Sequence, residues 1–481
     1  MSESTTTTSN AHIGRARRAV HPFAVMAPLA VMIASLSATA AVLGDSNGDE
    51  SYVVVKARRV ITAGKEDFSP GVIVIEDGKI SAVGKDIEYP PSAKVIDARE
   101  LTVAPGFVHP RSRHGMADYK RGGVHGDQKA SDEVFLSAMD FGDLLRAGYT
   151  TVCLVPDGEG IPGRASAYHT AGAEEQRLLS DSAYLHVHLR WEDNDKKALR
   201  DALKKAKEEI EKVEKARKEW AEKQEQKKQE ESKKKESHEK DNPEEKKNGQ
   251  RTAAASPSPL DDGKVVAETP EHGEGEKKKD DDVFQPPPID PKYQPLVDLI
   301  QHEEGVRMMV QLVGASSLLH LEDVLEPYDE LVHALYLATA RSSDYAYIVD
   351  RLKERKAQVV LRPWIHYLPQ TTFRYNLAAR LDAAGCEVSV IPHEHERIEY
   401  LRVRERLADL VRAGLSPATA VQSLTLNPAR AIGLGDCVGS IEKNKIADLV
   451  FFDGDPLDPH AELRRVMIAG EIVFDAKEEA R

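Results

Sequence analysis

The chain has 481 residues, 41% hydrophobic and 6% aromatic, with 80 acidic against 66 basic side chains and a formal net charge of −14. That length can bury one large core and a smaller one, and the acidic balance argues against a dedicated nucleic-acid binder, which would carry a basic surplus or a basic face. No nucleic-acid partner is expected. Three cysteines, Cys153, Cys386 and Cys437, lie in apolar or loop contexts; the odd count excludes a disulfide scaffold and leaves room for one bridge at most.

Residues 1–44 read as an export signal. Arg15, Arg17 and Arg18 form the basic region, Phe23 to Leu36 the apolar region, and Ala38-Thr39-Ala40 the small-residue cleavage motif. An exported protein is expected, with an uncleaved membrane anchor as the alternative, because the weakly polar run continues to Leu43. Strand-like alternation follows at Tyr52 to Val55, Val72 to Ile75 and Ile80 to Val83, with a hairpin turn at Asp77-Gly78-Lys79. Gly148 to Val152 reads as a buried strand, as do Val306 to Val313, Leu335 to Thr339 and Lys356 to Pro363, the last followed by a helix from Phe373 to Ala384. Pro156 to Arg164 reads as a Gly/Pro-rich loop. The far end is again β: Val438 to Asp453 and Val466 to Phe474 alternate apolar and polar residues around the turn Ala469-Gly470-Glu471.

Residues 195–295 interrupt this pattern. Leu199, Leu203, Ala206, Ile210, Val213 and Trp220 recur at three- and four-residue steps, predicting an amphipathic helix with a coiled-coil-like seam. That seam fits either the protein's own flank or a second chain, so self-association or a protein partner through residues 196–220 is open. From 222 to 290 the composition turns to Lys, Glu and Gln, then Ser, Pro, Asp and Gly, and predicts a largely disordered, solvated insertion.

The run Pro105-Gly106-Phe107-Val108-His109-Pro110-Arg111-Ser112-Arg113-His114-Gly115 resembles the first metal-binding strand of the amidohydrolase superfamily, whose pattern is like Pro-Gly-Phe-Val-Asp-x-His-x-His-x-Gly. Ile75 to Gly84, Val95 to Ala98, Gly414 to Pro417, Asn427 to Gly433 and the stretch from Gly439 to Pro456 resemble the family's terminal segments. The resemblance covers residues 52–190 and 296–475 and is nearest to the imidazolonepropionase-like branch. It implies an α/β fold: a (β/α)8 TIM-like barrel plus a small β-sandwich built from both terminal segments, with a long charged insertion. The implied boundaries are 1–44 for the signal, 45–104 and 435–481 for the β-sandwich, 105–194 and 296–434 for the barrel, and 195–295 for the insertion.

The same resemblance implies hydrolysis of non-peptide C–N bonds with zinc or another divalent metal, and here the residues disagree with it. The family's two strand-one histidines fall on Arg111 and Arg113, and its strand-eight Asp falls on His393, at the end of Ala384 to His393. A guanidinium holds its proton near neutral pH and offers no lone pair to a metal. The expected outcome is no bound cofactor and weak or absent hydrolysis. A displaced metal site from His109, His393 and His395 is the alternative; it rests on period-two spacing that puts His109, Arg111 and Arg113 on one face. Two fixed cations would oppose a divalent ion there by several kcal/mol even at an effective dielectric of about 20. His186 and His188 also share a strand face, and Arg111 and Arg113 have Glu394 or Glu396 as candidate ion-pair partners. A further use of the arginines is to bind a small anionic ligand at the barrel mouth, with Arg111, Arg113 and Arg164 as contacts and Lys120, Arg121 and His125 adding positive potential. A pure interaction scaffold is the third reading.

Overall fold

The computed structural model describes residues 52–117, 119–190, 193–240, 283–328, 331–338, 343–393 and 397–479. The expected export segment, residues 241–282 of the insertion, Glu394, His395 and Glu396 lie outside them. No described helix is long and apolar enough to cross a membrane.

Numbered along the chain, the first strands are β1 (Val53–Val60), β2 (Gly71–Glu76), β3 (Lys79–Gly84), β4 (Lys94–Pro105), β5 (Phe107–Ser112), β6 (Lys120–Val124), β7 (Tyr149–Leu154), β8 (Asp157–His169) and β9 (Leu178–Leu189). After the insertion come β10 (Met308–Leu312), β11 (Ala334–Leu337), β12 (Gln358–Leu361), the hairpin β13 (His366–Tyr367) and β14 (Arg374–Tyr375), β15 (Glu387–Val390), β16 (Leu449–Phe452), β17 (Leu463–Ile468) and β18 (Glu471–Asp475). The helices are α1 (Gly142–Arg146), α2 (Asp193–Lys240), α3 (Gln294–Ile300), α4 (Ala315–Leu325), α5 (Val349–Glu354), α6 (Leu377–Ala383), α7 (Arg397–Arg412), α8 (Pro417–Gln422) and α9 (Leu426–Ala431).

Both terminal segments are β, as the alternation predicts, and enter one β unit, as the resemblance implies, but as a single seven-stranded sheet ordered β18-β17-β16-β4-β1-β2-β3 where a two-sheet sandwich was expected. The β2–β3 turn is tight because Asp77 and Gly78 both take positive φ, 48° and 75°, which matches the twist of the flanking strands. Period-two geometry then divides β16 between two cores. Leu449 and Phe451 pack into the sheet's own core with Val55, Ile73 and Met467. Val450 and Phe452 point the other way into the core around the barrel, where Phe452 stacks on Phe107 of β5 at 6.2 Å. One strand therefore fixes the sheet to the barrel.

The second sheet follows the path β5-β7-β8-β9-β10-β11-β12-β15, with β6 beside β8. It is barrel-like and parallel along most of that path. The exception is β8, antiparallel to both β7 and β9. Residues 156–164, expected as a connecting loop, are largely this strand. Its glycines explain the difference: a Cβ on Gly158 would lie 2.0 Å from the Arg121 carbonyl oxygen, and one on Gly160 2.8 Å from that of Gly123. Without side chains there, β6 lies directly against β8. Between β15 and β5 the chain is bridged by the turn before α9: Val390 N donates to Ser423 O and Val108 N to Leu424 O, both at 2.8 Å. Ala429 and Ala431 of α9 join Val108, Met309, Ala334 and Val360 in the interior cluster, so α9 closes the end from which the parallel strands start. Asn376 and Ser416 cap α6 and α8 through their side chains.

The amphipathic helix forms, and its seam covers the barrel's own flank: Leu199, Ala202, Leu203 and Ala206 are buried, and Lys196 and Arg200 pair with Asp323 of α4. Trp220 meets Phe284, on the returning segment, at 5.8 Å. The predicted disorder from 222 is corrected over its first part, since α2 runs on to Lys240. Lys and Glu are strong helix formers and need no buried face to continue a helix already nucleated upstream. Residues 221–230 remain almost entirely exposed. Replacing residues 223–282 by a short Gly-Ser linker is therefore expected to leave the melting temperature within about 2 °C of the parent, whereas Leu203→Ala should cost roughly 2–5 kcal/mol. Thermal denaturation of both variants checks this; equal losses would mean the insertion carries stability of its own.

Candidate functional site

The site begins with an irregularity in β5. Pairing with β7 runs His109↔Val152 and then Ser112↔Leu154, so three steps on β5 oppose two on β7. Such a bulge resets the alternation of faces. Val108 points into the barrel interior. His109 points outward, its ring 5.6 Å from Tyr149 and 6.2 Å from Tyr400 of α7. Past the bulge, Arg111 points inward: its guanidinium lies 4.7 Å over the ring of interior Tyr336 and donates to Gln311 Oε1 at 2.8 Å.

The expectation that His109 shares a face with Arg111 and Arg113 is thus overturned, and with it the displaced metal site. His109 belongs to the helix-side packing, while His393 lies 5.9 Å from Trp364 at the mouth; His395 is outside the described residues. Among the described residues no group of three or more His, Cys, Asp or Glu side chains is arranged to hold a metal ion. The positions that the resemblance sets against strand-one metal ligands also fail on donor chemistry, because Arg111 supplies a proton donor where a ligand lone pair is required.

Arg113 is buried, donates to Ala117 O at 2.8 Å and lies 3.7 Å from Asp157. Arg164 is not brought to these two. It pairs with Leu185 on the outer side of the β8–β9 ladder and donates to Asp127 O. Arg121 is engaged by Glu133 and stacks on Tyr119, and His125 Nε2 is 3.1 Å from Gly122 O. Lys120 is exposed at the start of β6.

Two further strands complete the interior. His186 and His188 of β9 do share the inward face, alternating with outward Leu185, Val187 and Leu189. The contacts fix one tautomer for His188: Nδ1–H donates to Gly158 O at 3.1 Å, and Nε2 accepts from Gln311 Nε2 at 3.1 Å. Gln311 therefore links the neutral imidazole to the Arg111 guanidinium. Burial holds His188 below the ordinary imidazole range. His186 is pushed well below that range, first by burial and then by the charge of Arg111, with smaller contributions from His188 and Arg113.

Gln311 and Tyr336 were not singled out from sequence, although a lone Gln in the apolar run Met308 to Leu312 is the signal of a polar inward position. Arg362 was missed as well. It follows Val359-Val360-Leu361, and Val360 is an interior residue, so by strand period Arg362 faces the mouth. Its guanidinium lies 5.4 Å over Trp364, the ring that meets His393.

The buried histidines give the protein a calculable acid sensitivity. Unfolded imidazoles titrate near about 6.5, while folded His186 and His188 stay neutral below that pH, so the unfolded state binds more protons and stability is lost as pH falls from about 6.5. The melting temperature is expected to drop between pH 7.5 and 5.5, and His186→Gln to flatten that slope. Parallel slopes for parent and variant would show that His186 titrates normally.

The sequence matches the amidohydrolase family over residues 344–473. Curated relatives include adenine deaminase 2 of Jannaschia sp. (strain CCS1), 41% identical over 14% of this chain and 10% of that protein, and a dihydroorotase of Elusimicrobium minutum (strain Pei191), 34% identical over 22% of this chain and 21% of that one. The chain thus aligns with about a fifth or less of the length of these relatives. The solved structure of an amidohydrolase from Thermotoga maritima MSB8 superposes on 88% of this chain and 100% of its own, with a TM-score of 0.62 at 22% identity, which is a likeness of fold.

Proposed function

We propose, from the premise that the chain belongs to the amidohydrolase superfamily, that its barrel binds a small anion in place of carrying out the metal-assisted hydrolysis of C–N bonds typical of that superfamily. The observation that carries this reading is the inward Arg111 guanidinium, held by Gln311 and Tyr336. A guanidinium about 5 Å from a divalent ion would oppose it by roughly 7 kcal/mol at an effective dielectric of about 20. The same charge attracts a carboxylate or phosphate, for which a planar donor fork is suited, and Arg113, 3.7 Å from Asp157, is the second candidate contact. The nearness to the imidazolonepropionase-like branch and export with cleavage near Ala41 belong to this proposal too, supported by the sequence motifs that suggested them.

Two measurements test it. Protein purified without chelators is expected to hold far less than one equivalent of zinc, iron or manganese and to show no metal-dependent turnover of cyclic amides. In thermal-shift titrations at fixed ionic strength, small carboxylates or phosphate should stabilise the protein with occupancy, and Arg111→Gln/Arg113→Gln should abolish the effect while circular dichroism shows the fold retained. One equivalent of tightly bound metal with hydrolase activity would overturn the reading, as would equal stabilisation of parent and double variant.

A further inference from the structure

We infer that Gln311 is the positioning residue for Arg111 and that its amide is a relay with two orientations: a proton taken up at His188 turns the amide over and removes the Gln311 acceptor from Arg111. The consequence for ligand binding rests on the anion-binding reading above. Gln311 is the ladder partner of His188 on β9 and of Tyr336 on β11, and Tyr336 is the ring over which Arg111 lies. Arg111 Nη2 donates to Gln311 Oε1 at 2.8 Å, Gln311 Nε2 meets His188 Nε2 at 3.1 Å, and His188 Nδ1 meets Gly158 O at 3.1 Å. A guanidinium has only donors, so it holds the amide oxygen on its own side and turns the amide NH2 toward His188. The imidazole must then accept at Nε2 and carry its proton on Nδ1.

A proton arriving at His188 Nε2 reverses this order. Solvent supplies it, because His188 is half-buried at the mouth end of β9 whereas His186 is 2% exposed. In the imidazolium Nδ1–H keeps the Gly158 carbonyl, but Nε2–H now faces the amide NH2, donor against donor. Turning the amide over exchanges two groups of nearly equal size and gives His188 an acceptor. It also places the NH2 against Arg111, so the oxygen serves one neighbour or the other. The surroundings favour the neutral state near pH 7. Burial comes first; Arg111 of β5 and Arg190 of the same strand add to it, while the Gly158 carbonyl and Asp195 of α2 oppose it. Arg190 is itself paired with Asp195 and with Glu159 of β8, Asp157 of β8 lies toward Arg113, and the facing residue of β10 is the uncharged Gln311. In the acid state Arg111 keeps its stack on Tyr336, its Nη2 donor turns from Gln311, and His188 adds a positive charge. An anion at the mouth is then held more tightly and, by linkage, favours the imidazolium in turn.

The experiment follows histidine and arginine side chains of the full, selectively 15N-labelled chain by NMR from pH 7.5 to 5.5, within the range where circular dichroism shows it folded. His188 is expected to be neutral with its proton on Nδ1 at pH 7.5 and to titrate with a midpoint below the ordinary imidazole value of about 6.5, and the Arg111 guanidinium signal should shift with that same midpoint. Gln311→Glu, whose carboxylate accepts from both neighbours, should raise the His188 midpoint by about 1–3 pH units. Should it fail to fold, Gln311→Met should leave the Arg111 signal without a pH response. Formate, which keeps its single charge across this range, should bind the parent at least about fivefold more tightly at pH 5.5 than at pH 7.5 at fixed ionic strength, and His188→Gln should bring that ratio to about one. A proton on Nε2 at pH 7.5, an Arg111 signal that ignores the His188 midpoint, an unmoved midpoint in Gln311→Glu, or equal formate affinity at both pH values overturns the inference and leaves the anion-binding reading standing. Expected NMR responses with no formate binding at either pH remove the anion-binding reading and leave the relay.

Discussion

A guanidinium inside the barrel is the constraint on which the rest of this protein turns. Arg111 is 7% exposed, and taking its charge out of water has to be offset by directed contacts. Tyr336 and Gln311 supply them, and through Gln311 the constraint passes to His188 and on to the Gly158 carbonyl. Four strands, β5, β8, β9 and β10, are thereby tied by one chain of hydrogen bonds. The polarity of each bond is fixed by its neighbours, because Arg can only donate and a neutral imidazole donates at one nitrogen and accepts at the other.

The same constraint explains the unusual strand order around the mouth. Gly158 must bring its carbonyl to His188, and it does so from β8, which runs against both neighbours. That strand is affordable only where glycines let β6 approach, so Gly158 and Gly160 link the backbone topology to the polar interior. Elsewhere the sheet follows a barrel-like course: parallel strands, helices on the outside, and a terminal β unit fastened to the barrel by the two-faced strand β16.

Much of this was legible in the sequence. Alternation placed strands at both chain ends, apolar runs placed the buried strands β7, β10, β11 and β12, and three- and four-residue steps placed the seam of α2; that the two ends join in one β unit was implied by the resemblance. The shared face of His186 and His188 came from the period-two rule. What failed did so for stated reasons. A composition rule for disorder stopped α2 too early, because it ignores the ease of extending a helix once nucleated. A Gly/Pro-rich stretch read as a loop was a strand, because glycine marks close backbone approach as readily as a turn.

Residue identity thus determined by itself that positions 111 and 113 hold permanent cations that cannot ligate a metal, since that follows from the protonation chemistry of arginine in any fold. Where those cations point was decided only by tertiary structure. Period-two counting along His109, Arg111 and Arg113 assumes an unbroken ladder, and the bulge at Pro110 breaks it, sending His109 to the helices and Arg111 to the interior. A bulge is a relation between two strands, set by how β5 must pair with β7 while its inward residues meet β10 and β11. No single strand's sequence contains those partners.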